Sequence, residues 1–275
     1  MTVDDLQRTL QAAFPLESAM PGDNVGLQIR GTSKTVQSAL CCMEVTDDVV
    51  SEANELGVEA IITFHPLIYS PLTRLDGSDR VSRLVLRCIQ SDLSVYCVHT
   101  AFDAHPRGTN RLLADKLGLT AIRTIDPNPR VQIEADVEVG MGLLASCDLD
   151  FDELLARVTA VCGPSLRYSP APKQQVRTVA LVAGSGMSFY DKVVGTADVF
   201  ITADVKYHAF HAATGRIGLI DAGHYEMEQF VAKGMAQELE RHTSSFKIHV
   251  SSVCPNPVRY GLPQNVSEIA FSEIS

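Results

Sequence analysis

The chain of 275 residues has a formal net charge of −10 and 45% hydrophobic residues, enough apolar material for one large core or two modest ones without disulfide staples. With no dense Lys/Arg run to reverse it locally, that charge argues against direct nucleic-acid contact and leaves room for a small anionic substrate only in a metal-lined pocket. No basic leader and no apolar run near the ~20 residues that span a bilayer is present, so a soluble cytoplasmic protein, with the nucleus as a second location and no membrane partner, is expected.

Thr2 with Asp5 forms a capping-box pattern ahead of Leu6, Leu10 and Phe14, which predicts an amphipathic helix ended by Pro15. A strand is expected over 36–43, then a helix capped by Thr46 with Val49, Val50, Ala53 and Leu56, closed by Gly57 before a strand over 58–62. This is a βαβ unit, so the sheet is at least partly parallel. Val81, Leu84, Val85, Cys88 and Ile89 form the next helical stripe, followed by a strand over 93–98. A helix around Leu112, Leu113 and Leu117, stopped by Gly118, completes a second unit. Past Pro127 and Pro129 come a strand over 137–144 and a helix led by Asp150 with Phe151, Leu154, Leu155 and Val158. Gly163-Pro164 and Pro170-Ala171-Pro172 mark loops.

The later chain echoes the earlier one, with strands over 179–182, 199–202 and 217–221 separated by helices near 190–194 and before Gly215. Glu59-Ala60-Ile61-Ile62-Thr63 corresponds to Asp198-Val199-Phe200-Ile201-Thr202. The pattern predicts an α/β fold of two similar halves with mixed sheets flanked by helices, facing each other across a cleft. The first half is placed at 1–125, with His65, His99 and Asp103, and the second at 126–275, with His224 and Glu228.

Three apolar strands run into histidines, at Phe64-His65-Pro66, at Val98-His99 and at Gly223-His224. Strand ends of an α/β sheet are where side chains converge on a crevice. His99 and Asp103 are separated by a short turn, so that one could bind a metal while the other orients it, or the two form a plain hydrogen bond. His224 and Glu228 lie four residues apart at the start of a helix, a spacing that stacks them on one face and suits chelation or an ordinary polar contact. Imidazole with carboxylate suits zinc, iron(II) or manganese, and water bound to such an ion is a nucleophile near neutral pH. Hydrolysis is the reaction class implied. Gly184-Ser185-Gly186 suits a turn or a phosphate cradle. Asp204, Lys206 and His208 follow a strand and could face the cleft, whereas His211 reads as a helix-surface residue and His105, His242 and His249 as structural. Cys41, Cys42, Cys88, Cys97, Cys147, Cys162 and Cys254 show no Cys-x-x-Cys pair and read as reduced and mostly buried.

Together these segments resemble the NIF-three-like family, also known as GTP cyclohydrolase type 2 or dinuclear metal-centre hexameric proteins. The resemblance covers most of the chain and rests on Asp23-Asn24-Val25-Gly26-Leu27, His65-Pro66-Leu67-Ile68-Tyr69, His99 to Asp103, Gly108-Thr109-Asn110, Thr202 to His208, and Asp221 to Glu228. It implies interlocked halves, a ring-shaped homohexamer and a metal-dependent hydrolase of a nucleotide or related heterocycle. His65, Asp103, His224 and Glu228 match metal ligands for one or two divalent ions, zinc, iron or manganese. His99, His208 and Lys206 match residues close to the ions, where His99 or His208 would shuttle protons. Phe64 stands where bacterial-type members have the first histidine of a His-His-Pro motif; an aromatic residue there resembles eukaryotic members and weakens one metal position. Gly22 replaces the usual Trp. The family name implies a rival reading, an oligomeric scaffold that binds a transcription coregulator without catalysis. A third reading is mononuclear iron chemistry on a facial triad of His65, His224 and one carboxylate.

Overall fold

In the computed structural model, which describes residues 1–244, 246–253 and 256–260, the chain opens with α1 (Val3–Ala13), closed at its start by the expected capping box of Thr2 and Asp5. There follow the edge strand β1 (Gly26–Ile29), β2 (Ser38–Cys42), α2 (Asp47–Leu56), β3 (Ala60–Thr63), α3 (Arg80–Gln90), β4 (Ser94–Cys97) and the short α4 (His99–Asp103). The Thr46 hydroxyl caps α2, and Gly57 leaves it in the left-handed conformation, φ +65°. Next come α5 (Thr109–Lys116), the antiparallel pair β5 (Thr120–Pro127) and β6 (Gly140–Asp150), α6 (Phe151–Cys162), β7 (Arg167–Ser169) and β8 (Gln175–Leu181). The chain continues through α7 (Tyr190–Val193), β9 (Val199–Thr202), α8 (Tyr207–Ala213), β10 (Gly218–Asp221), α9 (His224–Glu228), α10 (Val231–His242) and β11 (Lys247–Val250).

Among the described residues the strands form two mixed sheets, ordered β1-β4-β3-β2-β11 and β5-β6-β8-β9-β10-β7. In the first, β4, β3, β2 and β11 run parallel and β1 lies antiparallel on β4. In the second, β8, β9 and β10 run parallel and β7 lies antiparallel on β10. The arrangements β1-β4-β3-β2 and β7-β10-β9-β8 are therefore the same topology written twice, each preceded by a helix, α1 or α6. Strands β3, β4, β9 and β10 are buried along their whole length, as expected where helices cover both faces of a parallel sheet.

The halves exchange elements. Leu113, Ala114 and Leu117 of α5 join Leu154 and Val158 in a core against the second sheet. Val231, Met235 and Leu239 of α10 return to the first sheet beside Leu6 and Leu10 of α1. Residue 125 falls inside β5, and α10 and β11 serve the sheet of the first half. The joint is fastened by buried Glu238 of α10, which accepts from Arg107 Nε and Nη2 at 2.5 and 2.6 Å and lies 3.1 Å from His242 Nε2. His105 Nε2 stands 3.7 Å from the same carboxylate, so His105 and His242, without evident partners in the sequence, face a shared anion.

Three local expectations are corrected. The strand expected over 137–144 begins at Gly140, with Val137 exposed, and runs on to Asp150. Ile89 is exposed, because the buried face of α3 is carried by Ser82, Leu84, Val85 and Cys88. The strand expected over 36–43 is ordered in the ladder only from Ser38 to Cys42. Cys41, Cys42, Cys88, Cys97 and Cys162 are buried and in no disulfide, Cys147 is half-buried and in none, and Cys254 lies outside the described residues. No helix among the described residues is long and apolar enough to cross a membrane.

Candidate metal centre

Strand ends deliver the site. His65 lies two residues beyond β3, and its N–H bonds to Met43 O at 2.8 Å while its carbonyl accepts from the Thr63 hydroxyl at 2.9 Å. His99 and His224 open the short helices that follow β4 and β10. Each of the three rings gives Nδ1–H to a carboxylate. His65 donates to Glu44 Oε2 at 3.1 Å, with Arg80 bracing the other oxygen of Glu44 at 2.7 Å. His224 donates to Asp204 Oδ2 at 2.7 Å, and His99 to Asp23 Oδ2 at 2.8 Å, where the Thr100 hydroxyl also donates. A carboxylate on Nδ1 fixes the ring's orientation and turns the Nε2 lone pair toward the cleft. His99 and Asp204 both sit at positive φ, +29° and +55°, a strained backbone of the kind that collects at functional sites.

The Nε2 atoms of His65 and His224 lie 3.2 and 3.1 Å from Glu228 Oε2. That oxygen is nonetheless buried without a hydrogen-bond partner, so the contacts are close but misaligned. The donor atoms of His65, His224 and Glu228 all fall within 4.8 Å of one another. Electron-pair donors that converge without bonding to each other fit a shared cation. Two imidazoles and a carboxylate match the ligand sets of catalytic zinc and of mononuclear iron(II).

Helical geometry supplies two of the donors, since His224 and Glu228 are one turn apart on α9. The space for them comes from Gly184, at φ +66°, where a Cβ would collide with Glu228 Oε1 and crowd His224 Nε2. Asp103, one turn after His99 on α4, is 7% exposed, and its Oδ1 is buried with no hydrogen-bond partner. It lies outside the triad but lines the same cavity of about 440 Å³, as do Asp23, His99, His224 and Glu228.

Electrostatics describe a site short of positive charge. Burial raises the Asp103 carboxyl to about 7, and the neighbouring Glu228 charge adds to the rise. Burial also opposes ionisation of Glu228, but the His224 and His65 rings beside it hold its pKa below the usual range. Burial disfavours the imidazolium of His65, yet Glu228 and Glu44 raise it to about 10. Against the same desolvation, Glu228 and Asp204 raise His224 to about 9. Without a metal, the rings themselves supply the cations that the carboxylates require.

Other sequence candidates lie elsewhere. Lys206 precedes α8 and His208 lies on it; both are exposed and neither lines the cavity, and the His208 ring rests on Tyr207 with centroids 5.3 Å apart. Phe64 is fully buried, its ring 5.0 Å from that of His65 and 5.6 Å from that of His99. The orienting roles of Glu44, Asp204 and Asp23 were not read from the sequence. Asp204 was expected at the end of its strand, facing the cleft, but without this role; Glu44, likewise two residues past a strand end, carried the same signal and was passed over.

Fold and site together define a two-sheet α/β protein with a two-histidine, one-carboxylate triad at the strand ends. The profile of the family Duf34/NIF3 (NGG1p interacting factor 3) matches residues 1–257, and the chain belongs to that family. It is 30% identical over 265 residues to a GTP cyclohydrolase 1 type 2 homolog of Lactococcus lactis, covering 94% of this chain and 98% of the relative. It is likewise 30% identical over 206 residues to the NIF3-like protein 1 of Drosophila melanogaster, 73% of this chain and 68% of that one. Among solved structures, a hypothetical protein of Staphylococcus aureus superposes with a TM-score of 0.83 at 27% identity, covering 94% of this chain and 99% of the other. A Bacillus cereus protein related to NIF3 shares the fold, with a TM-score of 0.82 at 21% identity over 94% of this chain and 98% of that one.

Proposed function

We propose that this chain is a divalent-metal-dependent hydrolase acting on a nucleotide or a related heterocycle. The observation that carries the reading is the convergence of His65 Nε2, His224 Nε2 and Glu228 Oε2 on one point, with the carboxylate oxygen buried and without a hydrogen bond. Relatives named GTP cyclohydrolase 1 type 2 homolog support hydrolysis of a heterocycle as the class of reaction. A scaffold without chemistry leaves the buried, unpartnered oxygens of Glu228 and Asp103 without a purpose.

His65, His224 and Glu228 would hold the ion, and Asp103 would add a donor from α4. Zinc, iron(II) or manganese there would supply Lewis-acid activation of water and of the bond to be cleaved. Glu44 and Asp204 keep the two ligand rings in the tautomer that presents Nε2. His99, tied at Nδ1 to Asp23, presents Nε2 to the cavity as the group that takes and returns a proton. Met20, Met141, Val182 and Phe189 line the cavity with apolar surface that limits water. The homohexamer implied by the resemblance belongs to this reading, and sedimentation of the purified chain tests it.

The composition of the triad favours one second reading, oxygen-dependent chemistry on a single iron(II). Turnover of zinc- or manganese-loaded protein in the absence of oxygen separates the two. For the hydrolase, His99→Ala should lower turnover roughly 100- to 10,000-fold at unchanged metal content, the range for loss of an acid–base group. Full turnover in the variant would remove His99 from the mechanism, and turnover only with iron(II) and oxygen would move the reading to the second.

A further inference from the structure

We infer that Asn110 is a positioning residue, a clasp that holds the carboxylate of Asp103, from the first half, beside that of Glu228, from the second, so that both serve one cation site. This rests on the metal centre proposed above and deepens it by naming what ties its two sides together. Gly108-Thr109-Asn110 is one of the segments that carry the family resemblance, yet neither the triad nor the proton-transferring group uses it.

Asn110 is the second residue of α5 and is 2% exposed. Its amide makes two bonds, one to each half. Nδ2 donates to the Asp103 carbonyl at 3.0 Å, and Oδ1 accepts from the Ala183 N–H at 2.8 Å. The partners fix which end of the amide is which, because turning it over would set carbonyl against carbonyl and N–H against N–H.

On one side the clasp completes α4. A helix leaves its last carbonyls without partners of its own, and those at the end of α4 are met from outside, Asp103 O by Asn110 and Ala104 O by the Gly140 N–H at 3.0 Å. Gly108 lets α5 begin directly against α4, since a Cβ there would overlap the Phe102 carbonyl. The five residues of α4 therefore take the orientation of Asp103 in part from α5.

On the other side the clasp prolongs the second sheet. The Val182 N–H still bonds to Ile201 O of β9 at 3.1 Å, but the Ala183 N–H leaves the ladder and goes to Asn110. The next residue is Gly184, against whose backbone the Glu228 carboxylate lies. One side chain thus grips the backbone of Asp103 and the backbone next to the support of Glu228.

Both carboxylates keep a buried oxygen without a hydrogen bond, Asp103 Oδ1 and Glu228 Oε2. Like charges in one water-poor cavity repel, and these two stand on elements from different halves, α4 and α9. A tie across the joint keeps them together until an ion arrives, and Asn110 reaches the backbone on both sides of it.

The test is a double-mutant cycle on the zinc affinity of the full-length protein, measured by competition with a chelator for the wild type, Asn110→Ala, Asp103→Asn and the double variant. Asn110→Ala should weaken zinc binding about tenfold or more in the wild-type background, and about twofold or less in the Asp103→Asn background, where the carboxylate it positions is already gone. Asn110→Ser, which keeps a polar group in the buried corner but is too short to span both partners, carries the same comparison if the alanine variant does not fold. Zinc bound by the wild type and weakened equally in both backgrounds would mark a general loosening of the fold and overturn the inference while the metal centre stands. Unchanged affinity in the Asn110 variants would overturn it too. A wild type that binds no zinc would overturn the metal centre and the inference with it.

Discussion

Each imidazole of the cleft is held through Nδ1 by a carboxylate, His65 by Glu44, His224 by Asp204 and His99 by Asp23. Asp204 holds His224 through Nδ1 at 2.7 Å and is half exposed, so its role can be tested without disturbing the core. Asp204→Asn keeps a residue that tolerates the left-handed backbone there and should weaken zinc binding by about tenfold or more, measured by competition with a chelator. Unchanged affinity would mean that α9 alone orients His224. The rings also set a pH dependence. His65 and His224 rise from 6.5 to about 10 and about 9 in the metal-free fold. The native chain therefore binds more protons than the unfolded chain above pH 6.5. The stability these groups contribute is full below that pH and is lost as pH rises through 9 and 10. Metal binding runs the opposite way, because the ion takes the same lone pairs and displaces their protons. Zinc affinity should rise with pH, and loading at neutral pH should release about two protons per ion, read with an indicator dye in weak buffer. Loading without proton release would contradict the assignment of His65 and His224 as ligands. His65, His99, Asp103, His224 and Glu228 were legible because each follows an apolar strand or lies one turn after a residue that does. The carboxylates behind the rings were not, being separated from their partners by 21, 20 and 76 residues. Lys206 and His208 carried the same strand-end signal but lie exposed outside the cavity.

At the scale of elements, the site is a short helix pressed on a glycine loop. The five residues of α9 place His224 over Glu228, and Gly184 permits the carboxylate to lie against its backbone. Gly184→Ala combines a positive φ that Ala resists with a clash at Glu228 Oε1. It should cost about 1–3 kcal/mol of stability and reduce bound metal, followed by thermal unfolding and metal content on one sample. Normal metal content would show that Glu228 can shift and still bind. Helices with a cap and a stop signal, α1, α2 and α6, were legible in the chain, as were the buried parallel strands. The strands β1, β5, β7 and β11 were missed. β1 and β7 are three or four residues long, β5 is exposed at five of its eight positions, and β11 has no buried residue. None presents the apolar run that marks a central strand.

At the scale of the molecule, one topology is used twice and its two copies supply different chemistry at equivalent points. His65 and Asp204 both lie two residues beyond the middle strand of their parallel trio, and His99 with Asp103 occupies the place of His224 with Glu228. The copies are joined by exchange, α5 packing against the second sheet and α10 with β11 against the first. This exchange lets residues of α4 from the first half and of α9 from the second line one cavity. The duplication was legible from the echo of Glu59 to Thr63 in Asp198 to Thr202. The return of the chain to the first sheet was not, because β11 has no buried residue and the apolar face of α10 fits either sheet.

The central claim is that the cleft binds a divalent metal through His65, His224 and Glu228. It is tested most directly by the metal content per chain of protein purified without chelator or affinity histidines, wild type against His224→Ala, before and after reconstitution with zinc, iron(II) and manganese. At least one equivalent retained by the wild type and lost in the variant is the predicted result. No metal after reconstitution, or equal loading of the variant, would contradict it.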